Sequence, residues 1–359
     1  MIDTVRWKEK YLGTLLPGKL RIIDQTKLPE ELVYLETDTD IEIYNYIKRL
    51  VVRGAPAIGC AAALGLGAVI QHSKAKIRDD LLKDTRKVAD FLAQARPTAV
   101  NLSWALNRCV NKLNNSTETK VALLKELLVQ EGINILNEDI SMCKAIGEHG
   151  KKLLKNGFGV LTHCNAGALA TGDYGTALSP IYTAHSLGID LKVYSSETRP
   201  LLQGSRLTAW ELKKAGINVI TICDNMVAQV MKEGKINIII TGADRIAANG
   251  DSANKIGTYG IAILAKYHNI PFFIAAPYSS IDINIKMGTA IPIEERDPDE
   301  IRKGFGKLTA PKDVNVYNPA FDITPYELIH GIITESGILY PPFKESIKNM
   351  ISTKNHKPK

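Results

Sequence analysis

Residues 236–277 read INIIITGADRIAANGDSANKIGTYGIAILAKYHNIPFFIAAP, and their order decides the fold. A short apolar run (236–242) leads into a polar, glycine-rich loop. A helical pattern (256–269) and a second apolar run (271–277) follow. Strand, crossover helix and strand make a βαβ unit, which pairs its strands in parallel. The rhythm recurs upstream, with apolar runs at 157–164, 191–196 and 217–222 separated by helical patterns at 175–188 and 204–216. Runs this apolar belong to a sheet covered on both faces. The chain therefore reads as an α/β protein in which residues 149–345 form a Rossmann-like domain with a parallel sheet. Residues 1–148 read as a smaller, mostly helical domain. It has short strand candidates at 19–24 and 31–37 and helical patterns at 40–52, 56–72, 78–94 and 98–114. The basic end, 346–359, reads as a frayed tail.

Composition narrows the function. The chain has 359 residues, 45% hydrophobic and 23% charged, which suits two globular domains. No apolar stretch approaches the ~20 residues of a bilayer-spanning helix. The opening, MIDTVRWKEKYLG (1–13), matches neither a secretory signal nor a transit peptide, so a cytoplasmic protein is expected. The net charge is +7, but the basic residues are dispersed and no nucleic-acid motif occurs. A small anionic ligand accounts for the charge equally well. The five cysteines (60, 109, 143, 164, 223) are widely spaced with no CxxC, which gives no metal site and no disulfide framework. Walker and GxGxxG loops are also missing from the sequence, so no cofactor is expected.

Parallel sheets bind ligands beyond the carboxyl ends of their strands. The candidates are therefore the strand-end loops: Cys164 in THCNAGALAT (162–171), ETRPLLQGSRL (197–207), CDNM (223–226), Asp244 in TGADR (241–245) and AAPYSSID (275–282). His163, preceding Cys164, should point the other way along its strand and reads as structural. Asp244 leaves a hydrophobic strand, where a carboxylate needs a partner or a ligand. Asn254 and Lys255 precede a helical pattern starting near Ile256, and lysine beside helix-start amides suits phosphate. Arg53, Gly54 and Ala55 open another helix, with Pro56 at its favoured early position. Arg96-Pro97 repeats that arrangement, and Gln203 comes just before a further helix start. Arg206 reads as an exposed, solvating charge. These features point to acid/base chemistry on a small phosphorylated molecule.

The motifs VVRGAPAIG (51–59), ARPTAVNL (95–102), THCNAGALAT (162–171), ETRPLLQGSRLTAWEL (197–212) and GADRIAANGDSANKIGTYG (242–260) resemble the 5-methylthioribose-1-phosphate isomerase family. That family belongs to a wider group with ribose-1,5-bisphosphate isomerases and regulatory subunits of a translation-initiation exchange factor. The resemblance implies an aldose–ketose isomerase of methionine salvage that usually dimerises through its C-terminal domain. It implies Cys164 and Asp244 as the catalytic pair. Arg53, Gly54, Ala55, Arg96, Gln203, Asn254 and Lys255 would hold the substrate, with Ser279, Ser280 and Asp282 shaping the site. A ribose 1-phosphate or ribose 1,5-bisphosphate substrate and a non-catalytic regulatory subunit are the alternatives. Phosphate on O1 prevents a free aldehyde from forming. Hydrogen must therefore pass from C2 to C1 either by proton abstraction or by hydride shift.

Overall fold

The computed structural model describes residues 2–97 and 99–355; position 98, inside the ARPTAVNL motif, and 356–359, the end of the expected tail, lie outside the described residues. The chain forms two units, Met1–Ser141 with Ala168–Gly175, and Met142–Gly167 with Thr176–Lys359.

The first unit opens with strands β1 (Val5–Glu9), β2 (Gly18–Ile23) and β3 (Tyr34–Thr37), which form an antiparallel sheet in that order. Helices α1 (Asp40–Lys48), α2 (Ala55–Ile70), α3 (Arg78–Ala93), α4 (Val100–Asn114) and the first part of α5 (Val121–Gly150) follow. Every residue of α2 from Ala57 to Ala68 is buried, as expected of a helix apolar on all sides. Its small residues admit close neighbours: a Cβ on Gly67 would lie 2.8 Å from a methyl of Val129 on α5. The units divide between Ser141 and Met142, inside α5, rather than at 148.

Residues 168–175 join the first unit because polar groups tie them there. Thr4 Oγ1 donates to the Ala168 carbonyl at 2.8 Å, and Gln25 Nε2 donates to that of Leu169 at 2.7 Å. Arg6 Nη1 donates to the Gly172 carbonyl at 2.7 Å, and the Gly172 N–H donates to Asp139 Oδ2 at 2.6 Å. Burial pushes the Asp139 carboxyl up to about 7; the nearby Asp173 adds to this, and the Gly172 N–H opposes it. A carboxyl with a raised folded-state pKa contributes its stability at low pH. That contribution is lost as pH rises from about 4 through about 7. Asp139→Asn keeps an acceptor for Gly172 and removes the buried charge. The variant should lose less stability than the wild type between pH 5 and 8, by an amount on the order of a few kcal/mol. Calorimetric melting curves check this, and equal slopes would contradict it.

The second unit runs β4 (Phe158–Thr162), α6 (Ser179–Ser186), β5 (Leu191–Ser196), α7 (Ala209–Lys214), β6 (Asn218–Ile222), α8 (Val227–Lys232), β7 (Ile238–Thr241), β8 (Arg245–Ala247) and β9 (Ser252–Lys255). It continues with α9 (Thr258–Tyr267), β10 (Phe272–Ala275), β11 (Ile281–Asp282), α10 (Asp299–Arg302), β12 (Lys303–Gly304), β13 (Lys307–Leu308), β14 (Phe321–Thr324), β15 (Gly331–Thr334), β16 (Gly337–Leu339) and α11 (Phe343–Asn355). Seven strands form one sheet in the order β16-β15-β10-β7-β4-β5-β6. All pairings are parallel except the edge pair β15–β16. Strands β7, β10 and β15 are buried along their whole length, which is why β7 and β10 read as unbroken apolar runs. The protein is thus α/β, with a Rossmann-like C-terminal unit and a smaller, mostly helical N-terminal unit carrying short strands.

A second small sheet, β11-β8-β9-β14, follows β7. Residues 252–255, expected as the approach to a helix, are strand β9, and α9 starts only at Thr258. The distant β14 makes the difference by pairing Asp322 with Asn254 and Phe321 with Lys255. The expected frayed tail is helical through Asn355. Phe343 and Ile347 enter the core and Ile351 packs against it, an i, i+4, i+8 stripe. Among the described residues no helix is long and apolar enough to cross a membrane.

Candidate functional site

The parallel strands follow the order in which two βαβ halves run outward from a common centre. From β4 the chain steps to β5 and β6 on one side, then returns to β7, β10 and β15 on the other. The boundary between β4 and β7 is therefore the switch point, where the connecting loops part and leave a crevice. Cys164 follows β4 and Asp244 follows β7.

Cys164 is held in an uncommon shape. Its φ is 62°, in the left-handed region that non-glycine residues seldom adopt. Its N–H donates to Thr198 Oγ1 at 2.8 Å, and its carbonyl accepts from Thr208 Oγ1 at 2.7 Å. The thiol residue is half-buried. Behind it, Asn165 Nδ2 donates to Thr208 Oγ1 at 3.0 Å and to the fully buried Glu211, which also accepts from the Tyr182 hydroxyl at 2.9 Å. Gly167 faces the same carboxylate, where a Cβ would have no room. His163, one residue past β4, is buried and hydrogen-bonded at both ring nitrogens. The Ser196 hydroxyl donates to its Nδ1 at 2.6 Å, and its Nε2–H donates to the Ile256 carbonyl at 2.8 Å. Burial lowers its pKa, so the ring stays neutral, and it links the end of β4 to the chain beside Lys255.

Asp244 starts the β8–β9 hairpin, its N–H donating to the Ala253 carbonyl at 2.9 Å. Its side chain is exposed. Asn254 is buried, with Nδ2 donating to Thr258 Oγ1 at 3.0 Å. Lys255 is only 9% exposed. Its Nζ lies over the Phe321 ring, 4.5 Å from the centroid. Among the described residues the ammonium has neither a hydrogen bond nor an ion pair. A buried cation placed this way favours an anion.

The helix-start phosphate site expected beside Lys255 is taken by the protein itself. Asp322 accepts from the N–H groups of Gly257 (2.7 Å) and Tyr259 (3.1 Å), capping α9. Burial pushes this carboxyl up to about 6, against the pull of those amides and of Lys255.

Gln203 stands ahead of a π-helical turn, Gly204–Thr208, of the kind that often marks functional sites. It is buried, and among the described residues its Oε1 has no hydrogen-bond partner; neither has the hydroxyl of Thr241 at the end of β7. Arg206 is half-buried rather than solvating: its Nε donates to the Leu201 carbonyl at 3.2 Å, and burial lowers its pKa. Ser279 and Ser280 lie in a short 3₁₀ turn, and Asp282 stands 3.9 Å from Arg245. No cluster of His, Cys, Asp and Glu among the described residues could hold a metal ion.

Arg53, Gly54, Ala55 and Arg96 belong to the N-terminal unit. Arg53 is buried, its Nε donating to Gln25 Oε1 at 3.1 Å. Gly54 caps α2 with a φ of 92°, and a Cβ there would fall 2.4 Å from the Ala170 carbonyl oxygen; both facts require glycine. Ala55 is the first residue of α2. Arg96 does not open a helix, because α4 begins only at Val100. Sequence reasoning missed Thr198, Thr208, Asp224 and Phe321. The CDNM loop was the one signal available for Asp224, and Phe321 lies too far along the chain to be linked with Lys255.

A 5-deoxyribose 1-phosphate isomerase of Clostridium botulinum (strain Okra / Type B1) is 54% identical over 332 residues, covering 92% of this chain and 95% of its own. The crystal structure of 5-methylthioribose 1-phosphate isomerase from Pyrococcus horikoshii OT3 superposes with a TM-score of 0.91 at 45% identity, covering 98% of this chain and 96% of the other. That of translation initiation factor eIF-2B, subunit delta, from A. fulgidus gives 0.87 at 41% identity, covering 97% and 100%. Residues 51–341 match the Initiation factor 2 subunit family, and the chain belongs to that family.

Proposed function

We propose that the protein is an aldose–ketose isomerase acting on 5-deoxyribose 1-phosphate, converting it to the corresponding 2-ketose 1-phosphate. One observation carries the reading: Cys164 and Asp244 follow the two adjacent strands at which the strand order reverses. The buried, ring-stacked Lys255 suits a phosphate, and Gln203 Oε1, without a partner among the described residues, suits a sugar hydroxyl. The relative at 54% identity supports the 5-deoxy sugar over the methylthio sugar that the motifs suggested. The structural likeness at 45% identity keeps 5-methylthioribose 1-phosphate as a second substrate reading. The polar equipment around Cys164, Gln203 and Lys255 favours an enzyme over a regulatory subunit.

In the proposed reaction, Asp244 gives a proton to the ring oxygen as the C1–O bond opens and the phosphate stays on O1. Hydrogen moves from C2 to C1, and the proton of the C2 hydroxyl returns to Asp244 as C2 becomes a carbonyl. Cys164 assists beside C1 and C2. Substrate covering Asp244 would supply the desolvation that raises a carboxyl pKa. Running the reaction in deuterated water separates the two routes, since only proton abstraction brings solvent deuterium to C1.

Arg53, Gly54, Ala55 and Arg96 are assigned to substrate binding on the family resemblance, together with Gln203, Asn254 and Lys255. A homodimer through the C-terminal unit is also proposed, on the exposed stripe Tyr259, Ile263 and Tyr267 along α9. Offering the protein 5-deoxyribose 1-phosphate, 5-methylthioribose 1-phosphate and ribose 1,5-bisphosphate, and assaying ketose, tests the activity. The highest kcat/KM should fall on the 5-deoxy sugar, and no ketose from any of the three would overturn the reading.

A further inference from the structure

We infer that Thr198 and Asp224 are positioning residues for Cys164, forming a clamp that fixes the direction of its thiol. The inference rests on the reading that Cys164 takes part in the reaction.

Asp224 follows β6, on the far side of β5 from β4. Its two carboxylate oxygens accept from successive backbone amides, Oδ1 from Thr198 at 2.8 Å and Oδ2 from Arg199 at 2.7 Å. This fixes a turn in which Thr198 itself has a φ of 65°. The Thr198 hydroxyl donates to the Ser196 carbonyl at 3.0 Å, which leaves its lone pairs for the Cys164 N–H at 2.8 Å. The Thr208 hydroxyl holds the other side of the same residue through its carbonyl. Cys164 is therefore gripped at both backbone polar groups while in the left-handed region. Such a conformation persists only where surrounding contacts over-determine it. Thr198 is fully buried and Asp224 is not itself buried, so the carboxylate serves the loop rather than the core. The Cys164 amide is spent on this bond and does not serve as a donor to a developing oxyanion.

Thr198→Val keeps the side-chain shape and deletes the acceptor. It should lower kcat about ten- to a hundredfold while changing KM by less than about threefold, as expected for a misplaced reacting group. Thr198→Ser should restore kcat to within about twofold, and Asp224→Ala should reproduce the loss even if Thr198→Val folds poorly. The second readout is the pH profile of Cys164 alkylation, followed by site-resolved mass spectrometry on the substrate-free protein. Its midpoint should shift in Thr198→Val and Asp224→Ala and return in Thr198→Ser. Unchanged kcat together with an unchanged alkylation profile would overturn the clamp. Full activity of Cys164→Ala would instead overturn the catalytic reading of Cys164, and an alkylation shift in the clamp variants would still register the clamp's hold on the thiol.

Discussion

Asp244→Asn is expected to bind the sugar 1-phosphate with near wild-type affinity and to lose at least ~10² in kcat. Asparagine matches aspartate in shape, and the bond from the residue 244 N–H to the Ala253 carbonyl does not involve the side chain. What disappears is a group able to give a proton to the ring oxygen and take one from the C2 hydroxyl. The side chain is exposed, so the fold should not depend on it, and the melting temperature should stay within a degree or so of the wild type. Steady-state kinetics beside a thermal melt checks both halves. Turnover that survives intact would remove Asp244 from the reaction.

Lys255→Met should act in the opposite way, raising KM about ten- to a hundredfold with a smaller change in kcat, the loss expected when one charged partner of an anion is deleted. Methionine keeps a contact with the Phe321 ring and removes a buried cation, so stability should hold or rise slightly. Arg53→Ala should also weaken binding, but with a stability cost of ~1–3 kcal/mol, because it deletes a buried guanidinium that donates to the buried Gln25 Oε1. Comparing the two variants separates lost phosphate affinity from lost packing. An unchanged KM in Lys255→Met would refute its assignment to the anion.

The parallel sheet was legible because strands such as β7 and β10 are buried on both faces and leave unbroken apolar runs. Strand-end loops could then be ranked by one topological rule, which picked out Cys164 and Asp244. The β9–β14 pair was not legible, since Ser252–Lys255 looks like a turn until Phe321–Thr324 pairs with it. The same gap hid the Asp322 cap, and with it the reason the α9 amides are not a phosphate site. The clamp on Cys164 was hidden because its parts come from three separate loops. Burial of Ile347 was masked by the lysines around it, although 343, 347 and 351 share one helical face. The C5 end of the substrate was the least readable feature. The recognised motifs surround strand ends and candidate phosphate residues, which any sugar 1-phosphate of this type would share, and no candidate residue was assigned to C5.

The most direct measurement is a crystal structure of Asp244→Asn soaked with 5-deoxyribose 1-phosphate. The expected result is a sugar whose C1 and C2 lie between the Cys164 sulfur and the residue 244 carboxamide, with its phosphate on the Lys255 ammonium. A sugar bound away from the ends of β4 and β7, or turned so that the thiol and the carboxamide both miss C1 and C2, would contradict it.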